Sequence, residues 1–378
     1  MTVQIKKILF VVNIPSFFVS HRLPLAVAAK NSGFEVHVAT ANGSEVQIIE
    51  DNGLIHHVIP FDRSGQNLVA DIMTFIELIR LFRIIKPDLV HLVTIKPVIY
   101  GGIAARMTGI KSLVAAVSGL GTVFIDSSFL GYLRRLLVLS MYRMAFKHKR
   151  LNVIFQNLED KNMFLNENLL ESKRARLIQG SGVRLSDYPH LPEPNSIPVV
   201  IMASRLLKDK GVFDFVQAAK ILKTQGTEVI FRLVGDSDFD NKTSVSKKTL
   251  NSWKDEGYIE IMGFCDDIAD QYANANIVCL PSYREGLPKS LVEAAACGRA
   301  VVTTDVAGCR DAIVNEVTGL LCPIMDPCGL AETIKILIDD PNKRKQMGIA
   351  GRHLAESIFS IEHIVDQHMD IYNELVDS

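Results

Sequence analysis

Two glutamates with seven residues between them are the groups in this chain best placed to do chemistry. Glu285 lies in a loop with the sequence PSYREGLP, and Glu293 lies in the apolar helical pattern that follows. The apolar run from Ile277 to Leu280 predicts a buried strand before the loop, and Pro288 suits the first turn of the helix. A helix start offers free backbone N–H groups and the positive end of a dipole, which favour a phosphate. The carboxylates could then accept hydrogen bonds from the hydroxyls of a sugar and a ribose beside it.

A pair of cations follows the strand predicted at Val199 to Ala203. Arg205 and Lys210 lie in the segment MASRLLKDKG, which leads into a helical pattern. An arginine binds phosphate oxygens as a planar fork, and a lysine binds them as a point charge. From the residues alone, this pair also fits ordinary surface charges at a strand end, and the glutamates also fit solvated side chains of an ordinary helix.

The surroundings of the glutamate pair carry a family resemblance. With the segments PSYREGLP and ACGRAVVTTDVAGCRDAIVNEVTGLLCP, the spacing resembles the retaining glycosyltransferases of the two-domain GT-B fold, in the large family 4. The resemblance implies a nucleotide-sugar donor held by the second domain, with Arg205, Lys210 and Glu285 as catalytic residues. Glu293 would bind the ribose. The further donor-binding positions that it implies are Gly286, Leu287, Pro288 and Lys289 in the turn, Gly235 in a VGD segment, Phe264 in MGFCDD, and Pro281.

The resemblance also implies a mechanism that retains the anomeric configuration. Both glutamates lie on the donor side, so they do not form the nucleophile and acid pair of a retaining glycosidase. The leaving diphosphate is expected to take the proton of the acceptor hydroxyl while Arg205 and Lys210 stabilise its negative charge. No metal ion or other cofactor is expected, because two cations can neutralise the phosphates. Asp236-Ser-Asp238, a triplet that could bind a metal, is interpreted as solvated loop.

The first half of the chain departs from the family pattern. It has no glycine pair after its first strand, where it reads NIPSFFVSHRLP, and no histidine in the later stretch AVSGLGTVFID. Both stretches resemble a branch that builds bacterial surface and lipid-linked oligosaccharides, including O-antigen and capsule enzymes and N-acetylgalactosaminyltransferases acting on polyprenyl-diphosphate sugars. The acceptor-side residues predicted on this basis are Ser16, His21, Lys96, Ser118, Gly119 and Gly121. His21 has the alternative role of a helix-start residue beside Ser20, and a catalytic side chain in this half stays an open question.

The composition is that of a soluble globular protein with room for two domains, since 48% of its 378 residues are hydrophobic and 22% are charged. The charge is unevenly divided. Up to Pro189 there are 22 Lys and Arg against 14 Asp and Glu, and after it 19 against 28. The basic half could meet an anionic membrane.

The sequence contains no stretch long enough to span a bilayer, and its start, MTVQIKKILFVVN, resembles a strand rather than a signal peptide. The six cysteines form no CxxC pair. We expect a cytoplasmic protein, peripheral on the inner membrane.

Two long helical patterns lie in the first half. Leu130 to Arg150 combines apolar residues with six Lys and Arg. It is either a core helix with a basic, solvated end or an interfacial helix that holds the chain on anionic lipid. The other pattern runs from Asn67 to Ile85. Its predicted core face consists of Ile72, Phe75, Ile76, Ile79 and Phe82.

Short apolar runs alternate with helical patterns through the whole chain, as in doubly wound parallel sheets. A polar, proline-rich segment from Asp187 to Pro198 interrupts the alternation and is interpreted as a linker. We therefore predict an α/β chain of the GT-B type, with Rossmann-like domains at 1–188 and 197–359 facing a cleft and a C-terminal helix at 360–378 that packs back on the first. No G-x-G-x-x-G follows the first strand, which disfavours a simple dinucleotide-binding domain.

Taken together, these features predict a glycosyltransferase that moves an N-acetylhexosamine, GalNAc or GlcNAc, from a UDP-sugar to a polyprenyl-diphosphate-linked saccharide. Two alternatives stay open. A UDP-sugar 2-epimerase shares the two-lobed fold, but it needs acid–base groups from both lobes and no acceptor. An inert GT-B subunit that binds nucleotide sugar or scaffolds a partner is disfavoured because both cations and both glutamates are present. No nucleic acid partner is expected.

Overall fold

The computed structural model describes residues 5–61, 68–119, 128–238, 241 and 243–377. The chain divides into two compact units, Met1–Ser181 with Ile364–Ser378, and Gly182–His363. Residues 189–196, which separate the two predicted domains, belong to the second unit, and the chain returns to the first unit at Ile364.

The first unit is built on a parallel sheet whose described strands have the order β3-β2-β1-β4-β5-β6-β7. The strands are β1 (Lys7–Val12), β2 (Glu35–Thr40), β3 (Ile55–Val58), β4 (Leu89–Val93), β5 (Ser112–Val117), β6 (Leu151–Phe155) and β7 (Ala175–Leu177). The helices are α1 (Pro15–His21), α2 (Leu23–Asn31), α3 (Val46–Asp51), α4 (Leu68–Ile85), α5 (Gly102–Thr108), α6 (Phe129–Phe146) and α7 (Leu158–Asn166). The last helix of the chain, Ile361–Asp377, also packs here and is named α14 below.

The sheet of the first unit is buried on both faces. Along β1, Leu9 and Val11 face one core while Ile8, Phe10 and Val12 face the other, because successive side chains of a strand point to opposite sides. Helices α4 to α7 cover the first face, and α1 to α3 together with α14 cover the second. Burial on both faces explains why the central strands β1, β4, β5 and β6 are mostly apolar in the sequence.

Helix α4 packs with only part of its predicted core face, since Phe75, Ile79 and Phe82 contact the core as predicted. Ile72 and Ile76 were assigned to the core face, but their side chains are 51% and 55% exposed. The buried side carries Leu78, Phe82 and Ile85. Apolar residues lie all round α4, so the periodicity alone did not select the side that packs.

The second unit holds a parallel sheet whose described strands have the order β10-β9-β8-β11-β12-β13. The strands are β8 (Val199–Ala203), β9 (Ile230–Val234), β10 (Glu260–Gly263), β11 (Ile277–Leu280), β12 (Ala300–Thr304) and β13 (Gly319–Cys322). The helices are α8 (Val212–Thr224), α9 (Lys247–Glu256), α10 (Ile268–Ala273), α11 (Lys289–Ala296), α12 (Pro327–Asp339) and α13 (Pro341–Leu354). All six cysteines lie in described residues of this unit, and each is a free thiol.

The proline-rich segment 187–198 is fastened to the second unit. Arg299 Nη1 donates to the carbonyl oxygen of Leu191 at 2.9 Å, and Arg352 Nη1 donates to that of Tyr188 at 2.9 Å. Arg344 Nε donates to a carboxylate oxygen of Glu193 at 2.9 Å, with both side chains buried. The interpretation of this segment as a linker therefore needs correction, because three cationic side chains tie it down along its length.

Candidate functional site

The predicted donor-side residues gather at one edge of the second sheet. The chain winds outward from β8 to β10, returns to β11 and then winds the other way, so the order of strands reverses between β8 and β11. In open parallel sheets, ligands bind at the carboxyl ends of the strands that flank such a reversal. The loop after β8 carries Arg205 and Lys210, and the loop after β11 carries Glu285.

Two glycines let these loops approach each other closely. Gly211 has φ +74°, and a Cβ built on it would lie 1.9 Å from the carbonyl oxygen of Pro281. Gly235, at the end of β9, has φ +129°, and its Cβ would lie 1.9 Å from the carbonyl oxygen of Ser204. No other residue fits either position, because the left-handed backbone and the contact both exclude a side chain. Gly235 and Pro281 thus shape the loops that hold the cations.

Lys210 and Glu285 form an ion pair at this edge. Lys210 Nζ lies 2.5 Å from Glu285 Oε1, and the two side chains are 22% and 10% exposed. Ser282 Oγ donates to the same carboxylate oxygen at 2.8 Å and lies 3.1 Å from the carbonyl oxygen of Asp209. The loop after β8 and the loop after β11 are therefore joined through one carboxylate, which holds the ammonium group in place.

Arg205 lies on the same edge and pairs with Asp238. Its Nη1 donates to Asp238 Oδ2 at 3.0 Å, while 57% of the Arg205 side chain and 10% of the Asp238 side chain are exposed. The interpretation of the loop after β9 as solvated is wrong for Asp238, which is largely buried against the guanidinium. Most of the guanidinium side chain still faces solvent, where an anion can reach it.

Glu293 is buried within α11. Its side chain accepts a hydrogen bond from the hydroxyl of Tyr188 at 2.7 Å and a longer one from that of Tyr272 at 3.5 Å, and Lys289 Nζ lies 3.5 Å away. Burial raises the pKa of the Glu293 carboxyl above its usual range, and Lys289 and the two hydroxyls oppose that rise. Burial also raises the pKa of both tyrosines, so their hydroxyls stay protonated and remain donors.

The start of α11 suits an anion. Pro288 is the N-cap residue rather than the first helical residue, one position away from the prediction, and no side chain caps the first turn. Backbone N–H groups at an uncapped helix start attract phosphate oxygens. Gly286 and Leu287 precede this turn and are buried, and Lys289 opens the helix.

Phe264 is the last of the predicted donor-side residues and lies at the same edge of the second sheet. It follows β10, the strand beside β9, and 68% of its surface is exposed. An exposed aromatic ring at a ligand-binding edge can stack on a nucleotide base. Within the described residues, no group of three or more His, Cys, Asp or Glu side chains could hold a metal ion.

The acceptor-side predictions fall at the corresponding edge of the first sheet. Ser16 and His21 follow β1, Lys96 follows β4, and Ser118 with Gly119 follows β5, three neighbouring strands. The alternative role of His21 as a helix-start residue is wrong, because His21 ends α1. Its Nδ1 lies 2.7 Å from Ser20 Oγ and its ring stacks on Phe17.

Lys96 and Ser118 differ in their surroundings. Lys96 Nζ lies 2.6 Å from Asp71 Oδ1 on α4, so its charge is balanced by a carboxylate. The hydroxyl oxygen of Ser118 is buried and has no hydrogen-bond partner among the described residues. Gly119 has φ +102°, and Gly121 lies outside the described residues.

Four residues at the donor-side edge were not predicted, namely Tyr188, Asp238, Tyr272 and Ser282. Ser282 belongs to the PSYREGLP segment and lies three residues before Glu285, so its position in the loop was a usable signal. Tyr188 and Tyr272 are 105 and 21 residues away from Glu293 along the chain. Only the packing of the segment 187–198 and of α10 brings them to the carboxylate.

Two parallel α/β units, with the predicted polar groups collected where the strand order reverses, define the GT-B class of glycosyltransferases. Two family models match the chain: glycosyl transferases group 1 over residues 187–354 and glycosyl transferase 4-like over residues 7–157. The chain belongs to the group 1 glycosyl transferases, and it is a glycosyltransferase.

Three relatives that match nearly the whole chain are named as glycosyltransferases. The N,N'-diacetylbacillosaminyl-diphospho-undecaprenol α-1,3-N-acetylgalactosaminyltransferase of Campylobacter jejuni is 30% identical, over 94% of this chain and 95% of that enzyme. The Staphylococcus aureus capsular polysaccharide glycosyltransferase CapM is 27% identical over 91% of both. An Escherichia coli UDP-Gal:α-D-GlcNAc-diphosphoundecaprenol α-1,3-galactosyltransferase is 23% identical, over 92% and 90%. The resemblance drawn from the sequence is confirmed.

Solved structures show the same fold. A glycosyltransferase of Rickettsia africae superposes with a TM-score of 0.79 at 20% identity, covering 99% of this chain and 100% of the other. Anabaena HepE in complex with UDP-glucose gives 0.78 at 19% identity, over 97% and 99%. At these identities the likeness concerns the fold alone, and it confirms the predicted GT-B architecture.

Proposed function

We propose that this glycosyltransferase moves an N-acetylhexosamine from a UDP-sugar to a polyprenyl-diphosphate-linked saccharide, with retention of the anomeric configuration. The observation that carries the proposal is the gathering of Arg205, Lys210, Glu285 and Glu293 at the reversal of the second sheet. Two cations there suit a diphosphate, and two carboxylates suit sugar and ribose hydroxyls.

On binding, the donor would replace contacts that its binding residues already make with one another. A diphosphate at Lys210 competes with Glu285 for the ammonium group, and donor hydroxyls can take the acceptor positions of that carboxylate in return. The exposed Arg205 can bind the diphosphate while its other side stays against Asp238. Both cations then face the oxygen on which negative charge grows as the sugar leaves.

The acceptor hydroxyl loses its proton to the leaving diphosphate in this mechanism. Glu285 is bound to Lys210 and Ser282, and Glu293 is buried under two tyrosine hydroxyls, so neither carboxylate is arranged as a nucleophile. Positioning of both substrates supplies much of the remaining rate enhancement. No metal ion or other cofactor takes part in the proposed reaction.

A lipid-linked acceptor is supported by two relatives whose names specify a diphospho-undecaprenol sugar. We propose that α6 holds the chain at the cytoplasmic face of the membrane. It buries Leu139, Tyr142 and Phe146, but it exposes apolar residues in its first half beside Arg134. The core contacts of one side and the exposed apolar residues of the other support an interfacial role for the exposed side. No helix of the described residues is long and apolar enough to cross a bilayer.

The proposal is tested by nucleotide release over UDP-, GDP- and ADP-sugars, with and without a polyprenyl-diphosphate N-acetylhexosamine. We expect release from one UDP-N-acetylhexosamine only when the lipid acceptor is present, with an α-linked product by NMR and with turnover that persists in EDTA. Epimerised donor formed without acceptor would support the epimerase alternative instead. Nucleotide release from a GDP- or ADP-sugar, and not from any UDP-sugar, would overturn the assignment of a UDP-sugar as the donor.

A further inference from the structure

The outer side of α4 is apolar where a surface helix is normally polar. Leu68, Ile72, Met73 and Ile76 are exposed to 74%, 51%, 55% and 55%. They lie on the first half of the helix, whose other side packs into the core of the first unit. Contiguous apolar surface of this kind marks a binding face in soluble proteins.

The carboxylates of α4 do not interrupt this face with negative charge. The helix contains two, Asp71 and Glu77. Asp71 is paired with Lys96 at 2.6 Å and is largely buried, and Glu77 lies 3.8 Å from Arg80. The second half of the helix adds the exposed Arg83. The charges of α4 itself balance, because Arg80 and Arg83 offset Asp71 and Glu77, so the apolar face carries no net negative charge.

Helix α6 presents the same combination beside it. Both helices cover the same face of the sheet, and α5 lies between them in contact with both. Both follow strands of one parallel sheet, so their first halves lie at the same edge. Phe129, Leu133 and Leu137 of α6 are exposed to 75%, 46% and 63%. The first half of α6 carries Arg134 and Arg135 and no Asp or Glu, and Arg135 Nη2 lies 3.1 Å from Glu167 Oε1.

We propose that the first halves of α4 and α6 together form one docking surface for an anionic phospholipid bilayer. The exposed apolar side chains enter the boundary between headgroups and acyl chains, and the basic side chains bind lipid phosphates. This inference rests on the lipid acceptor proposed above and adds α4 to the contact assigned to α6.

Charge decides against a second copy of this chain as the occupant. In a two-fold dimer each copy presents the same patch to the other. Here that would place the basic residues of α6 against those of the partner, and like charges across an interface are unfavourable. An anionic bilayer supplies both the apolar layer and the opposite charge.

The test is flotation with phosphatidylcholine vesicles, with and without phosphatidylglycerol. Ile72→Glu combined with Ile76→Glu is expected to reduce the vesicle-bound fraction by about ten-fold or more, because two apolar anchors are lost and negative charge is added. Ile84→Glu is the matched control. Ile84 is 69% exposed on the same helix, about 18 Å along its axis from Ile72. Binding of the control should be unchanged.

Four further readouts separate the possible outcomes. Wild-type binding by the Ile72/Ile76 variant would overturn the role of α4. If Arg134→Glu with Arg135→Glu lost binding in that same case, α6 would be the whole contact. A dimer in light scattering that the Ile72/Ile76 variant abolishes would assign the face to a second copy. Hydrogen exchange of the wild-type chain over residues 68–85 must slow with vesicles, whether or not the variant folds.

The inference and the proposed function can fail separately. A vesicle-bound chain that transfers no sugar to any acceptor would contradict the proposed function and leave this inference intact.

Discussion

At the scale of single residues, each predicted donor cation is held by a carboxylate. Lys210 is bound to Glu285 and Arg205 to Asp238, and both carboxylates are largely buried. Such pairs orient the cations before a diphosphate arrives, which lowers the reorganisation needed when charge develops.

Replacing Lys210 or Arg205 by alanine should lower kcat on the order of 100-fold, because each removes a charge that stabilises the leaving diphosphate. The donor KM should change less, since backbone groups and Glu293 still hold the nucleotide. Steady-state nucleotide release measures both constants. Lys208→Ala is the control, because Lys208 is an exposed cation of the same loop with no predicted contact to the donor. Wild-type turnover in Lys210→Ala would rule out the clamp as a transition-state device.

Tyr188 is the residue that holds the predicted ribose-binding carboxylate. Its hydroxyl donates the shorter of the two tyrosine hydrogen bonds to Glu293, 2.7 Å against 3.5 Å for Tyr272. That hydrogen bond favours the ionised carboxylate and opposes the effect of burial on its pKa. Tyr188 is therefore a positioning residue, which acts through Glu293.

Tyr188→Phe should move the pH dependence of donor binding. Without the hydrogen bond, the pKa of Glu293 rises further, so the carboxylate protonates at a higher pH as the solution is acidified. The rise in donor KM on the acid side should then begin at a higher pH than in the wild type, with kcat little changed. Tyr272→Phe should show a smaller shift, since its contact is longer. If the pH dependence of donor KM did not change and the Tyr188→Phe variant were only less stable to unfolding, Tyr188 would have a purely structural role.

At the scale of elements, the segment 187–198 behaves as a part of the second unit. Its backbone carbonyl oxygens accept hydrogen bonds from Arg299, Arg352 and Asn276, and Glu193 is buried against Arg344. The segment has no regular structure to satisfy these carbonyl groups, so side chains from the unit do so. Fastening the segment is also what brings Tyr188 to Glu293.

Arg344→Ala should destabilise the second unit by about 3 kcal/mol, because it leaves the Glu193 carboxylate buried without its cation. Denaturant unfolding measures the change. Replacing both partners by apolar residues, Arg344→Met with Glu193→Leu, should recover much of the loss. The exposed pair Lys335 and Asp339 is the control, and Lys335→Ala should cost about 0.5 kcal/mol or less. Equal effects of the two alanine variants would show that the buried pair does not hold the segment.

At the scale of the whole molecule, the two units have separate cores. One core cluster belongs to the second unit, and two clusters lie on the two faces of the first sheet. The last helix, α14, adds Tyr372 and Leu375 to the first unit although it ends the chain. The predicted donor residues all lie in one unit, so a nucleotide should stabilise that unit selectively.

UDP at about 100 times its dissociation constant should stabilise the second unit by about 2.7 kcal/mol and raise its unfolding temperature by about 5 to 10 °C. Trp253 is the only tryptophan of the chain and is buried in this unit, so its fluorescence reports the transition. GDP and ADP serve as controls and should shift it less. If calorimetry showed a higher unfolding temperature with UDP but the transition in Trp253 fluorescence stayed at the same temperature, the nucleotide would bind to the first unit.

Much of this protein was determined by short-range patterns in its sequence. Buried parallel strands are continuous apolar runs, so the alternation of strands and helices predicted the α/β architecture. The family resemblance placed Arg205, Lys210 and Glu285 together, and the structure gives the physical reason, because the carboxyl ends of parallel strands share an edge. Their catalytic roles remain predictions.

Other features were decided only by the tertiary structure. The face of α4 that packs could not be read from a helix with apolar residues on all sides, so Ile72 and Ile76 were assigned wrongly. The contact of Tyr188 with Glu293 joins residues 105 positions apart, and the burial of Asp238 depends on where Arg205 lies. Periodicity and spacing describe neighbours along the chain, whereas burial and pairing depend on which distant segments pack against them.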